Sequence, residues 1–211
     1  MWEQITTYFQ SDLDTYMSAV RAHIMISMYA LMFAVVIAVP LGIMCVRYKN
    51  SQKFVISFFG ILRIIPSLAI LILFIPILGT GIKPALIALI LLGIPPILMN
   101  TVAGLESVPE FMLETAASCG MTSKQVWMKV LFPLALPLIL AGIKTAAVEV
   151  IASATLAAKI GAGGLGEIIF TGLGLNRTDL LLIGGVSVAI LSSTASLLFE
   201  ITDRKILKYK N

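Results

Sequence analysis

Charge is scarce in this chain. Only 12% of its 211 residues are Asp, Glu, Lys or Arg, against roughly 25% in soluble domains. With 59% hydrophobic residues and a mean hydropathy of +1.01, this excludes a soluble globular domain and identifies an integral membrane protein. Histidine occurs once, at position 23, and cysteine twice, at 45 and 119. Two thiols so far apart make neither a disulfide framework nor a metal site, and none is expected. A nucleophile paired with a base at membrane depth is missing, and no Gly-x-Ser-x-Gly occurs, which excludes an intramembrane hydrolase. No Gly-Lys-Ser/Thr follows the glycines, so the chain cannot bind ATP through a phosphate loop. Both tryptophans, Trp2 and Trp127, lie outside the apolar stretches, so no aromatic box for a quaternary ammonium is evident within them. The first twenty residues carry Glu3, Asp12 and Asp14 in place of the basic region of a cleaved secretory signal.

Five apolar segments are present, at about 22–46, 54–78, 82–103, 131–152 and 180–201. Each can cross a hydrocarbon core of ~30 Å at about 1.5 Å per residue. Gly79-Thr80-Gly81 predicts a tight hairpin between the second and third. Arg47, Lys49, Lys53, Lys124, Lys129, Arg204, Lys205, Lys208 and Lys210 all fall on one side, nine of the fifteen basic residues. The other side carries Arg21, Lys83, Lys159 and Arg177. Cytosolic loops hold the excess of basic residues, which predicts an external N-terminus and a cytosolic C-terminus. The net charge of +4 is read as orientation, not as a nucleic-acid surface. No internal repeat or linker is visible, so one domain over 1–211 is expected.

The cytosolic 104–130 loop reads as two short capped helices. Ser107 and Glu110 fit a capping box with Pro109 in the first turn. The helix passes Glu114, Ala116 and Ala117 and stops at Gly120, which suits a left-handed C-cap. Thr122 and Gln125 fit a second box, and that helix runs to Phe132, where Pro133 opens the fourth segment. Such an elbow presents one face to a partner, with Ala116 and Ala117 allowing close approach and Glu114 supplying charge.

Glu114-Thr115-Ala116-Ala117, Gly120 and then Val130-Leu131-Phe132-Pro133 resemble the "EAA" loop of permeases from binding-protein-dependent ABC importers. Thr115, Val130 and Phe132 depart mildly from its pattern. Ile65-Pro66-Ser67-Leu68-Ala69, Gly79-Thr80-Gly81, the run from Leu134 to Ala146, and Gly161-Ala162-Gly163-Gly164-Leu165-Gly166 resemble the permeases for glycine betaine, carnitine, choline and related quaternary amines. Family members often carry Gln-Thr where this chain has Arg63-Ile64. The resemblance implies an all-α, type I importer fold similar to methionine importers, in a bacterial cytoplasmic membrane. It implies a non-catalytic subunit that binds no cofactor itself. Its implied partners are a cytosolic ATPase dimer carrying ATP and magnesium, a second identical or homologous permease, and an external substrate-binding protein. It implies that Glu114, Ala116, Ala117, Gly120, Val130, Phe132 and Pro133 grip the ATPase. The same permease type for ergothioneine, methionine or another amino acid remains an alternative, as does, more remotely, a non-transport assembly protein.

Charged residues at membrane depth face a cavity or a partner, because a charge at the bilayer centre costs ~2.5–3.5 kcal/mol. Arg63, Lys144 and Glu149 therefore join Ser67, Ala141, Thr145 and Ala146 as candidates for the path or gate. Lys144 and Glu149, about 140° apart on a helix, are not expected to pair. His23 is expected at the outer boundary of the first segment. The glycines Gly161, Gly163, Gly164 and Gly166 are expected to form a flexible outer re-entrant stretch or gate.

Overall fold

The computed structural model describes residues 2–206. Lys208 and Lys210, counted above for orientation, lie outside the described residues. Among the described residues the chain is helical with no strand. Four helices are long and apolar enough to cross a membrane, or five when one sharply bent pair counts as a single span.

Helix α1 (Trp2–Ser11) leads into α2 (Leu13–Arg47), whose 35 residues extend roughly 52 Å. This span starts nine residues earlier than expected, so its first turns project beyond a ~30 Å core. Helix α6 (Ile82–Glu106) and helix α9 (Phe132–Ala157) cross beside it, and α11 (Thr178–Ile206) closes the bundle. Small side chains let these helices meet. On α2, Ala30, Ala34 and Ala38 recur every fourth residue and are fully buried. Gly42 continues the stripe, where a Cβ would come within 2.7 Å of Thr101 Cγ2. Gly142 on α9 faces Asn100 and the Pro96 carbonyl of α6, where a Cβ would sit 2.6 and 2.9 Å away. Lipid offers no hydrophobic gain for helix pairing, so close backbone approach and dense contact stabilise the bundle.

The second expected segment is not one helix. Helix α3 (Lys49–Leu62) ends at Arg63, and α4 (Ser67–Leu73) and α5 (Ile75–Leu78) follow after a 95° bend. Pro66 has no N–H to continue the ladder and disfavours α geometry at Ile65. Ile64 and Ile65 instead make tighter bonds to the carbonyls of Ile61 and Leu62, at 3.0 and 3.3 Å.

The expected hairpin after α5 is present, with Gly79 and Gly81 at φ +76° and +111°. The Gly81 N–H donates to the Ile160 carbonyl at 2.6 Å, tying this turn to the glycine-rich stretch. Beyond that stretch lies a short helix, α10 (Leu165–Gly174), only ~15 Å long and unable to cross. It packs on α11 with Leu165, Ile168, Leu180 and Ile183 buried together beneath Ile5 and Tyr8 of α1.

Candidate functional site

The elbow begins where α6 ends. Ser107 caps the C-terminus of α6, and its hydroxyl donates to the Gly104 carbonyl at 2.8 Å. The expected Ser107/Glu110 capping box is therefore not formed. The longer α6 claims Ser107, and Pro109 in extended geometry starts α7 (Glu110–Ser118). At the far end the Gly120 N–H donates to Ala117 O at 2.9 Å and the Met121 N–H to Ala116 O at 3.2 Å. With Gly120 at φ +84°, this is the double-bonded glycine cap of a helix C-terminus. The Thr122/Gln125 box is formed in both directions at α8 (Ser123–Val126).

The second elbow helix does not stop at Phe132 as expected. A π turn (Trp127–Leu131) joins α8 to α9, giving one helical unit over Ser123–Ile160. The Phe132 N–H reaches back five residues to Trp127 O. A wider turn accommodates Pro133, which has no N–H and crowds the carbonyl four residues earlier. Trp127 stacks on Phe132 with ring centres 5.7 Å apart. The elbow thus continues without a flexible joint into a helical unit of 38 residues, longer than the 35 of α2.

Its exposed face carries Phe111, Glu114 and Ala117, spaced three apart on α7, while Ala116 points inward. Val130, Phe132 and Pro133 are half-buried at the junction.

The candidate path residues divide between two elements. Arg63 is exposed at the break and Ser67 is half-buried at the start of α4. On α9, Lys144, Thr145 and Glu149 line an open hollow of about 400 Å³ with Val148 and Ala152, and Ala141 lies a turn below, half-buried. Thr145 is exposed, its hydroxyl bonded to Ala141 O at 2.9 Å. Lys144 and Glu149 form no ion pair. Ala146 does not share this face. It is fully buried among Ala34, Ile94, Ile97 and Leu98 of α2 and α6, one position around the helix from Thr145.

The glycine-rich stretch is held by backbone geometry. Gly161, Gly163 and Gly164 adopt φ +79°, +79° and +85°. Gly166 is helical, and a Cβ there would lie 2.0 Å from Thr155 O. The stretch and α10 wall a cleft of about 800 Å³ at the end of the bundle away from the elbow, with Tyr8, Asp14, Ser18 and Glu167 among its lining. Burial, reinforced by Asp12, pushes the Tyr8 phenol above its ordinary range. Where the chain turns into α11, Arg177 forms a two-pronged pair with Asp179.

His23 is fully buried within the bundle, and its Nε2–H donates to Ile151 O of α9 at 3.0 Å. Gly164 lies against it, with 3.2 Å from an added Cβ to His23 Cβ. The signal for that burial was its register: His23, Ile26, Ala30, Ala34 and Ala38 lie on one helical stripe. Among the described residues, no three His, Cys, Asp or Glu side chains converge as a metal site.

Residues 34–208 match the family described as "Binding-protein-dependent transport system inner membrane component". The chain is 39% identical over 203 residues to the glycine betaine/carnitine/choline transport system permease protein OpuCB of Bacillus subtilis, covering 96% of this chain and 94% of that one. It is 43% identical over 190 residues to the carnitine transport permease protein OpuCB of Listeria monocytogenes, covering 90% and 87%. The fold is similar to an inward-facing structure of the MetNI methionine ABC transporter, with TM-score 0.80 at 23% identity over 90% of this chain and 95% of that one.

Proposed function

The chain belongs to the binding-protein-dependent transport system inner membrane components, and from that membership we propose that it forms half of the path of an ATP-driven importer for quaternary amines such as glycine betaine, carnitine and choline. It is a permease, with no catalytic role. Relatives at 39–43% identity that take those names support the substrate class. A separate ATPase dimer binds ATP and magnesium. An external binding protein delivers the substrate, and a second permease, identical or homologous, completes the path.

The observation that carries this reading is the continuity of the elbow with α9. A rigid helix–glycine–helix unit with an exposed Glu114 face runs through the π turn into the helix whose open side holds Lys144, Thr145 and Glu149. Closure of two ATPases against two elbows would then rotate the two α9 helices and shift the opening from one face to the other. Arg63, at the α3–α4 break, would gate that passage by competing with an incoming ammonium group for Glu149. The glycine stretch and α10 would form the outer rim. The basic-residue asymmetry supports a cytosolic elbow.

The test is reconstitution of the chain with its neighbouring ATPase and binding protein, followed by uptake of labelled glycine betaine, carnitine and choline. ATP-dependent accumulation of at least one, absent without the ATPase, is expected. Failure of the ATPase to copurify, or accumulation of methionine in place of all three amines, would overturn the reading.

A further inference from the structure

A second hollow, about 770 Å³ in volume, opens at the elbow end of the bundle, between the ends of α2 and α6 and the π turn. Ligand sites commonly enclose ~300–1,000 Å³. Its wall is apolar, with Ile43 and Val46 from α2, Leu105 from α6 and Leu131 from the π turn. Its rim carries two cations on different elements, Arg47 at the last turn of α2 and Lys124 on the elbow, with Ser123 and the half-buried Trp127 beside them. No carboxylate lines it. Glu106, the acid beside Leu105, accepts a bond from Gln52 at 2.7 Å outside the lining.

Arg47 ends the α2 span and Leu105 lies one residue from the end of α6. The hollow therefore lies where hydrocarbon gives way to headgroups. Tryptophan at this level marks the same interface. Apolar walls beside two cations at this level match a phospholipid with an anionic headgroup. Its phosphate would lie between Arg47 and Lys124 and its first methylenes against Ile43, Val46 and Leu131. We propose that this hollow is a binding site for an anionic phospholipid of the elbow-side leaflet. Because Arg47 belongs to the packed bundle and Lys124 to the elbow, the headgroup would fasten one to the other and bias the elbow's position. The inference rests on membership in a membrane family, not on the substrate reading.

The test uses the transporter purified with its copurifying subunits and placed in lipid discs of phosphatidylcholine, alone or mixed with phosphatidylglycerol. Native mass spectrometry reads retained lipid, and a thermal shift reads stabilisation. A basic residue near an anionic surface is worth about fivefold in affinity, so R47Q/K124Q should retain phosphatidylglycerol roughly 25-fold less well, with R47K/K124R restoring it. Met128→Trp, at a residue 60% exposed that lines the hollow, should also reduce retention without altering charge and without loss of monodisperse protein. Undiminished retention in R47Q/K124Q would overturn the proposal. So would indifference to Met128→Trp, which would mean diffuse surface attraction. Equal stabilisation by inorganic phosphate in phosphatidylcholine discs would point to a free anion. Retention only after the ATPase is stripped away would mean that protein covers the hollow.

Discussion

Pro95 and Pro96 lie within α6 and are fully buried, and the helix runs through them. Pro66, exposed between α3 and α4, ends one helix and turns the chain through 95°. The side chain is the same; the neighbours differ. α6 lies between α2 and α9, and 67% of its apolar stretch is buried, against 28% for α2 and 17% for α11. Packing on both flanks keeps α6 continuous where the bonds to the Leu91 and Leu92 carbonyls are missing. α3 has no buried residue, so nothing opposes the bend that Pro66 introduces. One region is a scaffold closed on itself. The other, α3–α5 with the open side of α9, is left open, and under the proposed function it is the surface that a second permease would cover.

The largest effect should come from glycines of the closed region. Gly142→Leu places a side chain into Asn100 and the Pro96 carbonyl, an overpacking that costs about 3 kcal/mol or more. The yield of monodisperse protein and its thermal midpoint should both fall. Gly185→Leu, where an added Cβ meets nothing within 4 Å, should change either by little. Equal damage from both would break the distinction between scaffold and open face.

Next in size is Gly120→Val on the elbow. Its φ of +84° disfavours a branched side chain by roughly 1–2 kcal/mol. Insertion and the thermal midpoint of the bundle should hold, while ATPase copurification and uptake drop several-fold. Glu149→Gln should follow, lowering uptake of the amines several-fold with no shift in thermal midpoint, because Glu149 lines an open hollow and not the core. The smallest effect separates two hydroxyls of the elbow. Thr122→Ala removes a formed capping box and should destabilise the elbow by about 1 kcal/mol, read by hydrogen exchange at Ser123–Val126. Ser107→Ala removes only an extra bond to Gly104 O and should leave exchange in α7 nearly unchanged.

Hydropathy marked where the chain is apolar, so the number of spans and most of their ends were legible. The four unbroken spans have mean hydropathies of 2.0–2.5, however, and that narrow range conceals the difference in their burial. The break at 63–66 was invisible to it, since Ile64 and Ile65 keep the average high on both sides of Pro66. Local chemistry served better where neighbours do not intervene: the Gly120 cap and the Thr122/Gln125 box are formed on the exposed elbow as their residues dictate. Ser107 failed the same test because α6 extends to Glu106 and claims it. The turn into α9 was misread for a related reason. Pro133 signals a stop, yet a π turn absorbs it and the helix continues. On α9, small size alone could not distinguish Ala146, buried against α2 and α6, from Thr145, which faces outward.

Cysteine crosslinking addresses the central claim, that the open side of α9 meets the second permease while the open side of α2 meets lipid. With Cys45 and Cys119 replaced by Ala, single cysteines are placed at Thr145 or Val148 on α9, or at Met28 or Met32, which are 61% and 49% exposed on α2. Where the second permease is a relative, the matching position receives the partner cysteine. Crosslinks between subunits at Thr145 and Val148, with a yield that changes when ATP is trapped, are predicted, and none at Met28 or Met32. Crosslinks at Met28 or Met32 with none on α9 would contradict the account and move the path to the other side of the molecule.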